Sequence, residues 1–404
     1  MDSETRYDVL LKSGHTIDPL NHIDGKMDVA ITGGKIAAVA AEIDPASAAK
    51  VIDVSGHTVT PGIIDIHVHV YHTREPEGLS VMADSHSFRS GVTTLVDTGT
   101  AGARHFLHFK RTVIDLMKTR IYAFINIVDL GMIGPFEQDV RTMDPELCAG
   151  TVMAYPDICV GVKTAHYWTQ LPFDAAHPPW AAVDGAVAAG NLCGKPVMFD
   201  FWPRPPERSY EELILKKARP GDIHTHVFAQ QFPVLDEAGK PNKFLFEARE
   251  RGVIFDVGHG AGSFWFRNAE PAIRNGFVPD SISTDLHTHN IHGVVVDMQT
   301  TMNKILNLGI PLQEVIYRST VTPAREIGHP ELGNLSVGAE ADVAVFKLLT
   351  GEFGFVDCGK AKIHGDKKLE CAMTLRAGKI VFDPGGLSMP DWADAPSPYW
   401  VVQH

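Results

Sequence analysis

The stretch Thr60-Pro61-Gly62-Ile63-Ile64-Asp65-Ile66-His67-Val68-His69 decides how the chain is read. An apolar run that opens on Pro-Gly and ends in two imidazoles has the pattern of a buried parallel strand with chemistry at its C-terminal tip. Residues two apart on a strand share a face, so His67 and His69 converge on one point. Two neutral imidazoles so placed suit a Zn²⁺-like ion, although strand histidines without a metal are also common.

Working outward, apolar strands alternate with helical patterns from Pro61 to Glu326, the rhythm of βαβ units. Strands are expected at 63–68, 94–97, 121–127, 158–163, 196–201, 222–227, 253–257 and 281–285, followed by helical stretches at 293–308 and 312–319. Eight strands over about 225 residues fit an α/β fold of the (β/α)8 TIM-type barrel. A doubly wound open sheet is the alternative, but no Gly-rich phosphate loop follows any strand. Residues 61–326 are therefore assigned to the barrel. Short β-rich segments occupy 7–12, 27–32, 35–40 and 50–54, with Gly33-Gly34 as a hairpin turn, and recur at 342–347, 371–376 and 379–383. The economical reading is one small β-sandwich domain built from both termini, 1–60 and 327–384. Residues 385–404, with Pro390, Pro396 and Pro398, read as an extended C-terminal tail.

Composition narrows the function classes. The chain has 404 residues, 44% of them hydrophobic and 21% charged, which suits a large buried core. Its net charge is −13, and no basic stripe is present to neutralise phosphates, so no nucleic-acid partner is expected. No apolar run reaches 18 residues, so no membrane partner is expected either. Charges near the N-terminus disfavour a signal peptide. Five cysteines without a CxxC pair disfavour disulfides and a thiolate zinc site, which points to a reducing cytoplasm. The unusual count is 20 histidines.

Polar residues at the C-terminal strand ends build the active site of such a barrel. Here those ends carry His67, His69, Lys163, His226 and Asp285. A lysine closing the apolar run Val160-Gly161-Val162-Lys163 either snorkels outward or, as the neutral amine, reacts with CO₂ to give a carbamate able to bridge two cations. His224 shares the strand parity of His226 but lies deeper, where a packed histidine is expected. No G-x-S-x-G elbow occurs and no cysteine lies at a strand end, so a covalent nucleophile has little support.

The opening stretch resembles the first motif of the amidohydrolase superfamily. "DVAITGGKIAAVA" before it and "TVTPAREIGHPELGNLSVGAEADVAVF" after the barrel resemble the flanks of that superfamily's small β domain. "VGVK", "PGDIHTHVF", "FDVGHGAGSFWF" and "STDLH" look most like its dihydroorotase-related amidohydrolase/deacetylase branch. The resemblance implies a divalent metal centre, two Zn²⁺ per chain with Mn²⁺ or Fe²⁺ as alternatives. His67, His69 and Asp285 would hold the more buried ion, the Lys163 carbamate would bridge, and His226 would bind the second. The branch ends its fifth strand with histidine, whereas this chain reads Pro196-Val197-Met198-Phe199-Asp200. Asp200 is thus either an oxygen ligand or the partner of Arg204 or Arg208.

The resemblance further implies a metal-dependent hydrolase that cleaves an amide or ester of a small molecule, a deacylase or deacetylase, with Asp285 moving the proton. A cyclic amide hydrolase of the dihydroorotase or hydantoinase type is the alternative, and an inactive scaffold homologue the third. A homo-oligomer is the superfamily default. His259, flanked by Gly258 and Gly260, is expected to contact substrate or polarise its carbonyl, with a structural role as the alternative. Tyr71 and Tyr167, just past metal-bearing strand ends, are expected to line the pocket, and Arg74 could grip a carboxylate.

Overall fold

A computed structural model of the chain describes residues 6–73, 79–132 and 137–396. Arg74 and the end of the expected tail, 397–404, lie outside the described residues. In chain order the strands are β1 (Tyr7–Asp18), β2 (Ile23–Thr32), β3 (Lys35–Ala40), β4 (Ala48–Asp53), β5 (Thr58–Pro61) and β6 (Ile63–Val68). Then come β7 (Val92–Gly102), β8 (Arg120–Asn126), β9 (Cys159–Lys163), β10 (Val197–Phe199), β11 (Ile223–His224) and β12 (Ile254–Phe255). The last three are β13 (Val343–Val356), β14 (Lys362–Arg376) and β15 (Lys379–Phe382).

Strands β6 to β12 form a parallel sheet in sequential order. All residues of β6, β7 and β9 are buried, as expected for strands covered on both faces. The expected eighth strand is a bridging segment rather than a regular ladder. Ser281 bridges to Asp256 beyond β12, Leu286 bridges to Val68 of β6, and Asp285 N–H donates to His67 O at 2.6 Å. The curled sheet closes through these bonds. Asp285 takes a left-handed φ of 50°, which stops the segment from continuing as a strand. The same cause shortens β11, where His226 has φ 65° two residues past the strand, and β12, where Gly258 has φ 45°.

Inside the sheet, Ile64, Ile66, Val96, Phe124, Val160, Met198 and Ile223 form one apolar cluster. Outside it, Val68, Val70, Phe199 and Phe255 pack with the helices Pro145–Ala154, Ala181–Cys193, Lys243–Glu250, Phe266–Arg274 and Met298–Asn307. Thus β6 switches which parity faces inward across its register irregularity between Asp65 and Val68. That switch brings His67 and His69 to the inner side.

The remaining eight strands are tied into a second sheet, ordered β15-β14-β13-β5-β1-β2-β3, with β4 also paired to β1. Both ends of the chain contribute to it. β5, not anticipated from the sequence, pairs with β1 and with β13 and then passes through Gly62 directly into β6. A Cβ at Gly62 would lie 2.2 Å from Thr93 Oγ1, so only glycine fits this joint. Among the described residues, no helix is long and apolar enough to cross a membrane.

Candidate metal centre

At the inner rim, His67 Nε2 and His69 Nε2 lie 3.6 Å and 3.1 Å from Asp285 Oδ1. One ligand atom from each of these residues lies within 4.8 Å of the others. All three come from one joint in the sheet, since β6 and the closing segment are neighbours there. Each imidazole is held by its other nitrogen: His67 Nδ1 is 2.9 Å from Thr225 Oγ1, and His69 Nδ1 is 2.7 Å from Thr100 Oγ1. His67 Nε2, although buried, has no hydrogen-bond partner among the described residues. An orphaned buried nitrogen facing a carboxylate and a second imidazole is the arrangement a divalent cation satisfies. The donor set therefore fits such an ion.

The electrostatics agree. Burial drives His67 well below its ordinary value, and Lys163, His226 and His69 add to that, so it is a neutral imidazole with a free lone pair. Burial would raise the Asp285 carboxyl, but the imidazoles of His67, His69 and His226 hold it well below the usual carboxylate range. Asp285 is thus anionic at neutral pH.

Beside this trio, Lys163 ends β9 fully buried, and its Nζ donates to Asp200 Oδ2 at 3.2 Å. His226 Nε2 is 4.0 Å from the same oxygen, and the His226 ring lies 5.0 Å from that of His67. His226 Nδ1 is fixed on Gly258 O at 2.5 Å. His166 Nδ1 approaches Asp200 Oδ1 at 3.2 Å. Burial opposes charge on Asp200, but Lys163, His166 and His226 outweigh it and keep the carboxyl well below its ordinary range. Arg204 and Arg208 are not its partners. They donate instead to backbone carbonyls, Arg204 to Leu171 O and Arg208 to Tyr167 O and Trp168 O. His67, His69, Lys163, Asp200, His226 and Asp285 are therefore brought together.

The expected substrate contacts fare differently. His259 is fully buried with Nδ1 on Gly260 O at 2.9 Å and Nε2 on Lys304 Nζ at 2.7 Å, and its ring stacks on Phe264. With both nitrogens engaged by protein, it has no atom left for a substrate carbonyl. Tyr71 is also buried, packed on Phe109, with its hydroxyl 2.7 Å from His108 Nδ1. The buried hydroxyl of Tyr167 has no partner among the described residues. His224 points away from the site, because β11 turns it outward against Tyr210, Phe232 and Phe255, where burial pushes its ring down to about 3.

Four supporting groups were not read from the sequence: Asp65, Thr100, Thr225 and Asp256. Asp65 accepts from Thr284 Oγ1 at 2.6 Å and from Thr284 N at 3.1 Å, and burial raises its carboxyl to about 7. The available signal was an acid in the middle of an apolar strand, as in Ile63-Ile64-Asp65-Ile66 and Val253-Ile254-Phe255-Asp256.

Comparison with known proteins fits this geometry. The model of the amidohydrolase family matches residues 266–381. A deacetylase of Brucella anthropi is 31% identical over 84% of this chain and 83% of its own length. A deacetylase of Enterococcus faecalis is 31% identical over 93% of this chain and 99% of its own. The crystal structure of an adenine deaminase superposes with a TM-score of 0.83 at 30% identity, covering 93% of this chain and 100% of that one. That of a dihydroorotase gives a TM-score of 0.78 at 28% identity, covering 93% of this chain and 99% of the other.

Proposed function

The chain belongs to the amidohydrolase superfamily, and from that footing we propose that it is a metal-dependent hydrolase cleaving an amide or ester bond of a small molecule. One observation carries the proposal: the convergence of His67, His69 and Asp285 around the unpartnered His67 Nε2. In this reading residues 61–326 are the catalytic unit, and the sheet from 1–60 and 327–384 braces it. Five free cysteines are in keeping with a reducing cytoplasm.

Two Zn²⁺ ions are the proposed complement, with Mn²⁺ or Fe²⁺ as alternatives. His67, His69 and Asp285 would hold one, His226 and Asp200 the other, and Lys163 as its carbamate would serve both. When bound, such ions lower the pKa of water and polarise a carbonyl. The protein's part is proton handling. The Asp285 carboxylate takes the proton of the attacking water and returns it to the departing nitrogen or oxygen. Its Oδ2 faces Gly260, where a Cβ would come within 2.6 Å of it, so the glycine leaves the carboxylate room. His259 serves from behind, as a packed residue.

Removal of an acyl group from a small N-acyl or O-acyl compound is the first choice of substrate, from the deacetylase relatives. Ring opening of a cyclic amide is the second, favoured by the likeness to a dihydroorotase structure. Purified chain loaded with Zn²⁺ and screened against N-acetyl amino acids, acetylated hydroxy acids, dihydroorotate and hydantoins tests both. Turnover of an acyl substrate that vanishes on chelation is the expected result. A folded chain that takes up no metal and turns over nothing would overturn the reading.

A further inference from the structure

Asp256 is a fully buried carboxylate outside the proposed ligand set, and it reaches His67 through one hydroxyl. Thr225 Oγ1 donates to Asp256 Oδ2 at 2.8 Å and lies 2.9 Å from His67 Nδ1. Ser283 Oγ donates to the same carboxylate oxygen at 2.6 Å, and Ser281 Oγ to the other at 2.9 Å. Gly258 N–H donates to Ser283 Oγ at 3.1 Å, so the Ser283 hydroxyl proton is free to point at Asp256. Three hydroxyls converge on one carboxylate, which therefore acts only as acceptor.

A threonine hydroxyl has one proton. With that proton on Asp256, Thr225 Oγ1 offers His67 Nδ1 only a lone pair, so Nδ1 must carry hydrogen. The neutral imidazole of His67 then has its own lone pair on Nε2, the atom that faces Asp285 Oδ1 and lacks a partner. We propose that Asp256 is a positioning residue for the metal centre, which through Thr225 fixes the tautomer and ring angle of His67 so that Nε2 is presented to the cation. Gly258 is part of the same device. A Cβ there would lie 2.1 Å from Thr225 Oγ1, and its φ of 45° is one that side chains rarely adopt. Partners of this kind around metal-binding histidines commonly govern affinity by about 10- to 100-fold.

The inference rests on the metal centre proposed above, and its test separates the two. Thr225→Val keeps the shape and removes the hydroxyl, Thr225→Ser keeps the hydroxyl, and Asp256→Asn removes the acceptor charge. Zn²⁺ affinity of the metal-free chain is read by competition with a chromophoric chelator, with the apo melting temperature as fold control. Thr225→Val and Asp256→Asn are expected to weaken Zn²⁺ by about 10- to 100-fold, and Thr225→Ser to stay close to wild type. Nitrogen NMR of the metal-free chain, with His67 assigned by His67→Asn, is expected to show protonated Nδ1 in wild type and its loss in Thr225→Val. Wild-type affinity in a folded Thr225→Val chain, or an unchanged His67 tautomer, overturns the inference. A wild-type chain that binds no Zn²⁺ overturns the metal centre instead, while the NMR arm still decides what holds His67.

Discussion

Lys163 is a buried amine at the tip of an apolar strand, and its charge partner is Asp200 rather than solvent. Among the described residues, Asp285 is the carboxylate that the imidazoles of His67 and His69 both address. Lys163→Ala and Asp285→Asn are each expected to lower kcat/KM by about 10²–10⁴-fold, the range for loss of a group that moves a proton or sets up the reacting water. Circular dichroism should be unchanged in both, and full hydrolytic rate in either variant would refute its role. These residues were legible in the sequence because each is a polar group closing an apolar strand. Asp200 was legible as a departure, and the structure settles its partners: Lys163, His166 and His226 surround it, while both arginines cap carbonyls. His259 was not legible in the same way. Its partner Lys304 is 45 residues further on, and nothing local ties the two together.

That partner belongs to the helix Met298–Asn307, which Asp297 starts by accepting from Thr300 N at 2.9 Å. The helix lays Lys304 against the turn after β12, where its Nζ bonds His259 Nε2 and Val294 O. Burial pushes the Lys304 amine down from 10.5 to about 8, against the pull of Cys358, Asp357 and Asp297. The unfolded chain therefore holds this proton more tightly between those two values, and stability is expected to rise with pH from about 8 to 10.5. The gain is on the order of 3 kcal/mol. Denaturant unfolding of wild type and Lys304→Met across that window checks it: the stability of wild type should rise relative to that of Lys304→Met as pH rises, and parallel curves would sink the idea. The ends of β11 and β12 follow from the same turns. Alternation and apolar runs located all seven ladder strands, but the left-handed residues that cut β11 and β12 to two residues each, His226 and Gly258, carry no periodic signal. Nor did β6 announce its change of parity, which depends on pairing with β7.

The two sheets meet where the chain crosses directly from one to the other. β5 and β6 are separated only by Gly62, whose N–H donates to Asp342 O at 2.8 Å, just ahead of β13. A four-residue strand that completes a sheet made from both chain ends has no pattern of its own, so composition could show two β segments but not the strand that splices them. Arg120, at the start of β8, fastens this joint from the barrel side. It donates to Thr94 Oγ1, Asp342 Oδ2 and Glu340 Oε2, each at 2.7 Å, and Arg376 of β14 joins the same two acids. The Arg120 side chain is only 12% exposed, so its charge is little screened by water. Losing Arg120 leaves Glu340 and Asp342 with Arg376 alone, which costs less than the roughly 3–5 kcal/mol of a fully buried pair broken outright, because Arg376 remains and Glu340 is 39% exposed. Arg120→Met is therefore expected to cost about 2–3 kcal/mol of stability. The site lies at the opposite strand ends, so Zn²⁺ affinity and kcat should stay at wild-type values. Calorimetric melting together with Zn²⁺ titration checks both halves. An unchanged melting temperature would show that the sheets hold together without this bridge, and a loss of Zn²⁺ affinity would show that the terminal sheet sets the geometry of the metal centre as well as bracing the barrel.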